Sequence, residues 1–119
     1  MPVLEVEMVG EILAPLRHGL AQRLVDAAGQ VFESAPQQTW LKLRFMDAQD
    51  YAENAGPAPM PLPVFVRVML RSSIELEERR RLARDLAHAF AELCARPVTR
   101  VHILFDDPGQ GRVAFGGKL

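Results

Sequence analysis

The sequence is short of several things. It has a single cysteine, Cys94, in 119 residues. No internal disulfide can form, and a reducing cytoplasm is the expected compartment. Its charges nearly cancel, 14 Lys+Arg against 15 Asp+Glu, which argues against the strongly basic balance of a nucleic-acid-binding module. No apolar run approaches the roughly 18 residues that would span a bilayer. No charged leader followed by an apolar stretch opens the chain, so neither a membrane span nor a signal peptide is expected. Nor is there a serine–histidine–aspartate set or a cluster of metal-ligand residues, so no metal and no cofactor is expected and any chemistry must rest on other groups.

What is present fits one domain. The chain is 49% hydrophobic, enough for a core at this length. PVLEVEMVG (2–10) reads as a strand, with Val3, Val6 and Met8 set loosely against Glu5 and Glu7. From about Leu16 to Phe32, Leu16, Leu20, Leu24, Ala27/Ala28 and Val31 recur at helical spacing, and Pro15 suits a first helical turn. TWLKLRFM (39–46) alternates again, Leu41, Leu43 and Phe45 against Trp40, Lys42, Arg44 and Met46.

The second half repeats this order. PVFVRVMLR (63–71) is rich in β-formers. Leu76, Leu82, Ala83, Leu86, Ala89, Phe90 and Leu93 form a helical stripe, and Ser72 with Glu75 fits a capping box. RPVTRVHILF (96–105) alternates with Val101, Ile103 and Phe105 on one face. Pro2 to Pro36 and Pro63 to Pro97 are both spaced by 34 residues. The chain is therefore expected to be one domain of two β-α-β pseudo-repeats, 1–51 and 63–119, joined by a Pro/Ala/Gly-rich linker, 52–62. Crossover helices make each strand pair parallel. The predicted fold is α/β (α+β): a four-stranded mixed sheet with two helices on one face. The opposite sheet face is expected to be apolar as well, and so to need a partner.

These features together resemble the tautomerase superfamily, which includes 4-oxalocrotonate tautomerase, 5-carboxymethyl-2-hydroxymuconate isomerase, malonate semialdehyde decarboxylase, the 3-chloroacrylic acid dehalogenases and macrophage migration inhibitory factor. The resemblance covers nearly the whole chain. It rests on the Met-Pro start, the duplicated β-α-β unit and the ending GRVAFGGKL (111–119), which is similar to the glycine-rich tail of the short 4-oxalocrotonate tautomerases. Two short subunits look fused into one chain, as in the long members, and the resemblance implies a homotrimer.

It also implies a mechanism. With Met1 removed, Pro2 becomes a secondary amine that takes a proton from one atom of the substrate and returns it to another. A free α-amine titrates near about 7.7–8.0, and an apolar pocket with nearby cations brings it toward about 6–7, where a base is free and still effective. The implied partner is a small carboxylate or keto acid, whose developing enolate needs a preorganised cation. Arg71, at the end of the second half's first strand, lies close to where long members place a substrate-binding arginine, and arginine grips a carboxylate with two prongs. Short members carry an arginine on their second strand; here Lys42 and His102 stand at that position in the two halves. Lys42 can bind an anion as a point charge. Val113 stands where the short forms have a pocket phenylalanine, and Phe115 is the expected substitute. Arg71 is followed by Ser72 and Ser73 and not by a second arginine, unlike the dehalogenases and the decarboxylase. Pro63 matches Pro2 in the repeat, but as an internal amide it has no basic nitrogen.

Trp40 fits either a pocket wall or a subunit contact. Cys94 reads as a small core residue. ELEERRRLARD (75–85) reads as a solvated helix face with pairs such as Glu77–Arg81. Two rival readings stay open: hydration, dehalogenation or decarboxylation of a small unsaturated acid on the same scaffold, and a non-enzymatic ferredoxin-like ligand-binding or interaction module, in which Pro2 is incidental.

Overall fold

Val3–Val9 forms strand β1 in the computed structural model, which describes residues 1–119. Its alternation is that of a half-buried strand: Leu4, Val6 and Met8 are buried and Glu5 is exposed. The chain turns at Gly10, which takes a left-handed φ of 83°, into a single helical turn, α1 (Ala14–Arg17), with Pro15 near its start. Helix α2 follows at Leu20–Val31. The spacing predicts one helix from Leu16 to Phe32; the structure interrupts it at Gly19, whose φ of 66° suits a residue without Cβ. Past the break, Leu20, Leu24 and Ala28 recur once per turn and are buried.

Strand β2 (Trp40–Met46) leads through a short 3-10 turn at Ala48–Asp50 to strand β3 (Val64–Met69). Helix α3 (Leu76–Cys94) and a second 3-10 turn at Val98–Arg100 then precede strand β4 (Val101–Phe105). The predicted Ser72–Glu75 box does not form. Glu75 is itself the residue before the first turn of α3 and no side chain caps it, while Glu77 and Glu78 place negative charge in that turn, where the helix dipole favours it. Arg81 pairs with Glu78 at 2.5 Å and Asp85 at 3.4 Å, rather than with Glu77.

The strands are ordered β2-β1-β3-β4. The pairs β1–β2 and β3–β4 are parallel and the central pair, β1–β3, is antiparallel. Val6 faces Val66 across the central pair. Leu4, Val6 and Met8 of β1 and Val64, Val66 and Val68 of β3 all enter the helix-covered core, so strand positions that face the helices alike lie sixty residues apart. That match of faces shifts the proline alignment by one residue. Pro63 corresponds to Val3, and Pro2 to Leu62.

Both helices lie on one face. Leu4, Val6, Met8, Val64, Val66 and Val68 of the central strands pack with Leu20 and Leu24 of α2 and with Leu86, Phe90 and Cys94 of α3 in a single cluster. Each large side chain wholly removed from water contributes about 1.5–3 kcal/mol, so this face dominates the stability. The expected second apolar face is not found. The open face carries Glu5, Glu7, Lys42, Arg44 and Arg67 among its apolar residues. Opposite charges sit in register there, Glu5 beside both Lys42 and Arg67, so the two signs offset each other across neighbouring strands.

Candidate active site

The antiparallel register sets Val3 against Met69, so the head of β1 lies beside the end of β3. Past that end, the tail is laid along the chain by backbone hydrogen bonds. Gly109 N–H donates to the Leu70 carbonyl at 2.8 Å and Gln110 N–H to the Arg71 carbonyl at 3.0 Å. Gly109 is buried, and a Cβ there would come within 3.1 Å of the Met69 side chain and 3.2 Å of Val113, so a side chain at this position would press on both. The tail ends in a tight turn whose Phe115 and Lys118 exchange two backbone hydrogen bonds, 2.8 and 3.1 Å long.

These segments enclose a cleft of about 310 Å³ whose walls include Met1, Gln38, Met69, Arg71, Val113, Phe115 and Lys118. Pro2 is buried directly behind Met1, and its carbonyl accepts the Trp40 N–H at 3.0 Å. Trp40 stands beside the cleft: its indole Nε1–H donates to the Gln37 carbonyl at 3.0 Å. Its ring meets Phe115 edge to face, 5.4 Å between centroids, a preferred aromatic geometry. The structure thus brings together Met1–Pro2, Arg71, Phe115 and Trp40 from four separate stretches of sequence.

Lys42 is elsewhere. It lies on the open sheet face with its Nζ 2.7 Å from Glu5, and that hydrogen bond holds the Glu5 carboxyl below its usual range. His102 is half-buried on the same face, its ring 5.4 Å from that of Phe65. Lys118, Met69 and Gln38 were not singled out from the sequence. A signal for Lys118 existed: Gly116 and Gly117, both at positive φ, fold the tail back so that the residue after them meets Phe115.

The side chains that line the cleft carry charge of one sign, although the terminal residues Met1 and Leu119 line it as well. Arg71 and Lys118 line it, no aspartate or glutamate does, and neither cation takes part in any of the molecule's ion pairs. Such a site attracts an anion. The larger groove along α2, about 810 Å³, contains Asp26 and Glu33 and no lysine or arginine, so it repels one. No cluster of three histidine, cysteine, aspartate or glutamate side chains is placed to hold a metal, and no helix is long and apolar enough to cross a membrane.

The corresponding place in the second half, at the head of β3, is built differently. Arg100 stands sixty residues after Trp40. Its Nη2 lies 2.9 Å from Glu53 and its Nε donates to the Pro61 carbonyl at 2.8 Å. Tyr51 donates to the same Glu53 oxygen at 2.6 Å. Together the Tyr51 and Arg100 hydrogen bonds lower the Glu53 pKa.

No protein-family model matches the sequence, and no curated protein matches it. Solved structures do resemble it. A fused 4-OT, a wild-type symmetric trimer, superimposes with a TM-score of 0.78 at 20% identity over 98% of this chain and 94% of that one. FG41 malonate semialdehyde decarboxylase inhibited by 3-bromopropiolate matches with a TM-score of 0.71 at 18% identity, over 96% and 90% of the two chains. MIF2 of Leishmania major matches with a TM-score of 0.66 at 16% identity, over 99% and 96%. Agreement across nearly the full length of three such proteins, with the same sheet and helix arrangement, gives this chain the fold of the tautomerase superfamily.

Proposed function

We propose that the protein is a cofactor-independent tautomerase or isomerase that moves a proton within a small enol or keto acid, with the Pro2 nitrogen as general base. The observation that carries this reading is the place of Met1, with Pro2 buried directly behind it, on a cleft with two unpaired cations and no acidic side chain. With Met1 attached, the Pro2 nitrogen is a tertiary amide and has no basicity. Removing Met1 creates a secondary amine and takes away the wall that now covers it. The neighbouring positive charge of Arg71 and Lys118 disfavours the protonated amine, so the base is free nearer neutrality. The amine takes a proton from one position of the substrate and returns it to another, which leaves atoms and charge balanced. Arg71 holds the carboxylate and stabilises the enolate charge as it develops. Phe115 and Trp40 form the apolar side.

The fused 4-OT described as a symmetric trimer supports a homotrimer of two-repeat chains, and light scattering measures it. The decarboxylase neighbour supports a second reading, loss of CO2 from a small acid on the same cleft. Two measurements test the base. Intact mass should show a chain that starts at Pro2. Turnover of phenylpyruvate or 2-hydroxymuconate should then be lost in Pro2→Ala by a factor of about 10²–10⁴, the usual contribution of a positioned base. Methionine retained on all molecules, or full activity in Pro2→Ala, would rule out the amine mechanism.

A further inference from the structure

The proposed reaction turns an enol hydroxyl into a ketone oxygen, or the reverse. A ketone oxygen only accepts hydrogen bonds, whereas an enol O–H also donates one. The side chains of Arg71 and Lys118 carry donors and no acceptor, so they serve the ketone and leave the enol proton unmet. Of the other side chains that line the cleft, only Gln38 and Gln110 have polar atoms; the rest are apolar or glycine. A primary amide carries two N–H donors and a carbonyl acceptor on one planar group, so it meets either tautomer by turning one edge or the other. Position separates the two glutamines. Gln110 belongs to the carboxylate end, its backbone N–H on the Arg71 carbonyl. Gln38 belongs to the other end. β1 and β2 pair in parallel with Val3 opposite Trp40, and the Trp40 N–H reaches the Pro2 carbonyl at 3.0 Å. Continued back by two residues, that register sets Thr39 beside Pro2 and Gln38 beside Met1. With Met1 removed, Gln38 flanks the space in front of the Pro2 nitrogen, where the reacting carbon has to lie. Its backbone is held on both sides. Gln38 N–H donates to the Ala35 carbonyl at 3.1 Å, the Gln37 carbonyl accepts the Trp40 indole, and the hydroxyl of the buried Thr39 lies 2.5 Å from that of Ser34. A pinned segment therefore carries this amide to the cleft.

We infer that Gln38 is a specificity-determining residue, the hydrogen-bond partner of the substrate oxygen that alternates between ketone and enol, and that it selects oxo acids over acids without that oxygen. This rests on the reading of the cleft as a substrate site, but not on Pro2 acting as a base. The Gln38 N–H donates to the ketone, and its carbonyl accepts the enol O–H. Arg71 keeps the carboxylate, so the two residues fix the ligand at two points and orient the carbon between them toward the chain start.

Calorimetric titration reads this without turnover. Phenylglyoxylate is an oxo acid that has no hydrogen to enolise, and phenylacetate has the same skeleton with a methylene in place of the ketone. The native protein should bind phenylglyoxylate more tightly. Gln38→Met keeps the length of the side chain and removes the amide. It should weaken phenylglyoxylate by about three- to tenfold, the usual worth of one neutral hydrogen bond, and phenylacetate by less than about twofold. Gln110→Met should leave the preference between the two acids as it is in the native protein. Equal affinity of the native protein for the two acids, an equal loss for both in Gln38→Met, or loss of the preference in Gln110→Met instead would overturn the assignment. Failure of both acids to bind would overturn the reading of the cleft as a substrate site, and the assignment with it. A preference that depends on Gln38 in a protein whose turnover survives Pro2→Ala would refute the base and leave the role of Gln38 standing.

Discussion

Arg96 follows the end of α3 and reaches back across the molecule to the joint between its two halves. Its guanidinium donates to the Leu62 carbonyl at 2.5 Å, to the Val9 carbonyl at 3.1 Å and to the Glu11 carbonyl at 3.3 Å. One side chain thus ties the end of β1 to the segment entering β3. Substituting Arg96→Met keeps the apolar stem and removes all donors. The three acceptors are not equivalent. Glu11 is exposed and water can replace the arginine there, whereas Val9 is wholly buried and its carbonyl has little access to water. Leu62 is intermediate. An unmet buried acceptor costs about 1–3 kcal/mol and an accessible one much less, so the expected loss is roughly 2–4 kcal/mol. In urea unfolding followed by far-UV circular dichroism, that loss moves the midpoint down by roughly 1–3 M with the slope unchanged. Protomer concentration is held constant, since assembly is linked to stability. Arg96→Lys should recover less than half, because an ammonium cannot span three carbonyls at once. A loss under about 0.5 kcal/mol for the methionine variant, the range of an ordinary surface change, would refute the reasoning.

Two further outcomes follow from the same geometry. The Glu53 carboxyl, held below its ordinary pKa by the Tyr51 hydroxyl and then by Arg100, stabilises the fold above the unfolded carboxylate pKa. That contribution is lost as pH falls through the lower folded value. The melting-temperature gap between the native protein and Glu53→Gln should therefore shrink below about pH 4, and a gap constant from neutral to acid would contradict it. Cys94 is wholly buried and burial pushes its thiol up to about 11, so near pH 8 only about one molecule in a thousand carries the thiolate. Iodoacetamide should label it in denaturant and leave it intact in the folded protein, and prompt labelling of the folded protein would show that the core around α3 opens.

The strands were legible because period-2 patterning is a local signal. Leu41, Leu43 and Phe45 alternate with Trp40, Lys42 and Arg44 in the sequence, and the burial of β2 follows the same alternation. The helix break was not legible. Leu16 and Leu20 are four residues apart, a spacing that a continuous helix and a helix restarted after Gly19 both satisfy. Charge on the open face depends on pairing across strands: Glu5 meets Lys42 only because β1 and β2 pair in that register, which no single segment reveals. Cleft composition is a matter of the tail. The sequence marks Arg71 and Phe115, while Lys118 becomes visible only once two glycines turn the chain and Phe115 finds Trp40.

The one-residue offset of the prolines explains more than an alignment error. Strand positions repeat every sixty residues, so the two heads of strands are Pro2 with Trp40 and Leu62 with Arg100. At the first, an aromatic contact between Trp40 and the later tight turn leaves room beside it for a cleft. At the second, Arg100 reaches the earlier tight turn, where Glu53 bridges to Gly56, and fixes it through an ion pair and the Pro61 carbonyl. An aromatic edge contact leaves neighbouring cations unpaired, while a guanidinium saturated by a carboxylate and a carbonyl leaves no free charge for a ligand. The duplication is thus symmetric in its strands and asymmetric in what closes each end. Proton transfer by a chain-terminal amine is possible at only one of those ends, and the unpaired cations stand at that same end.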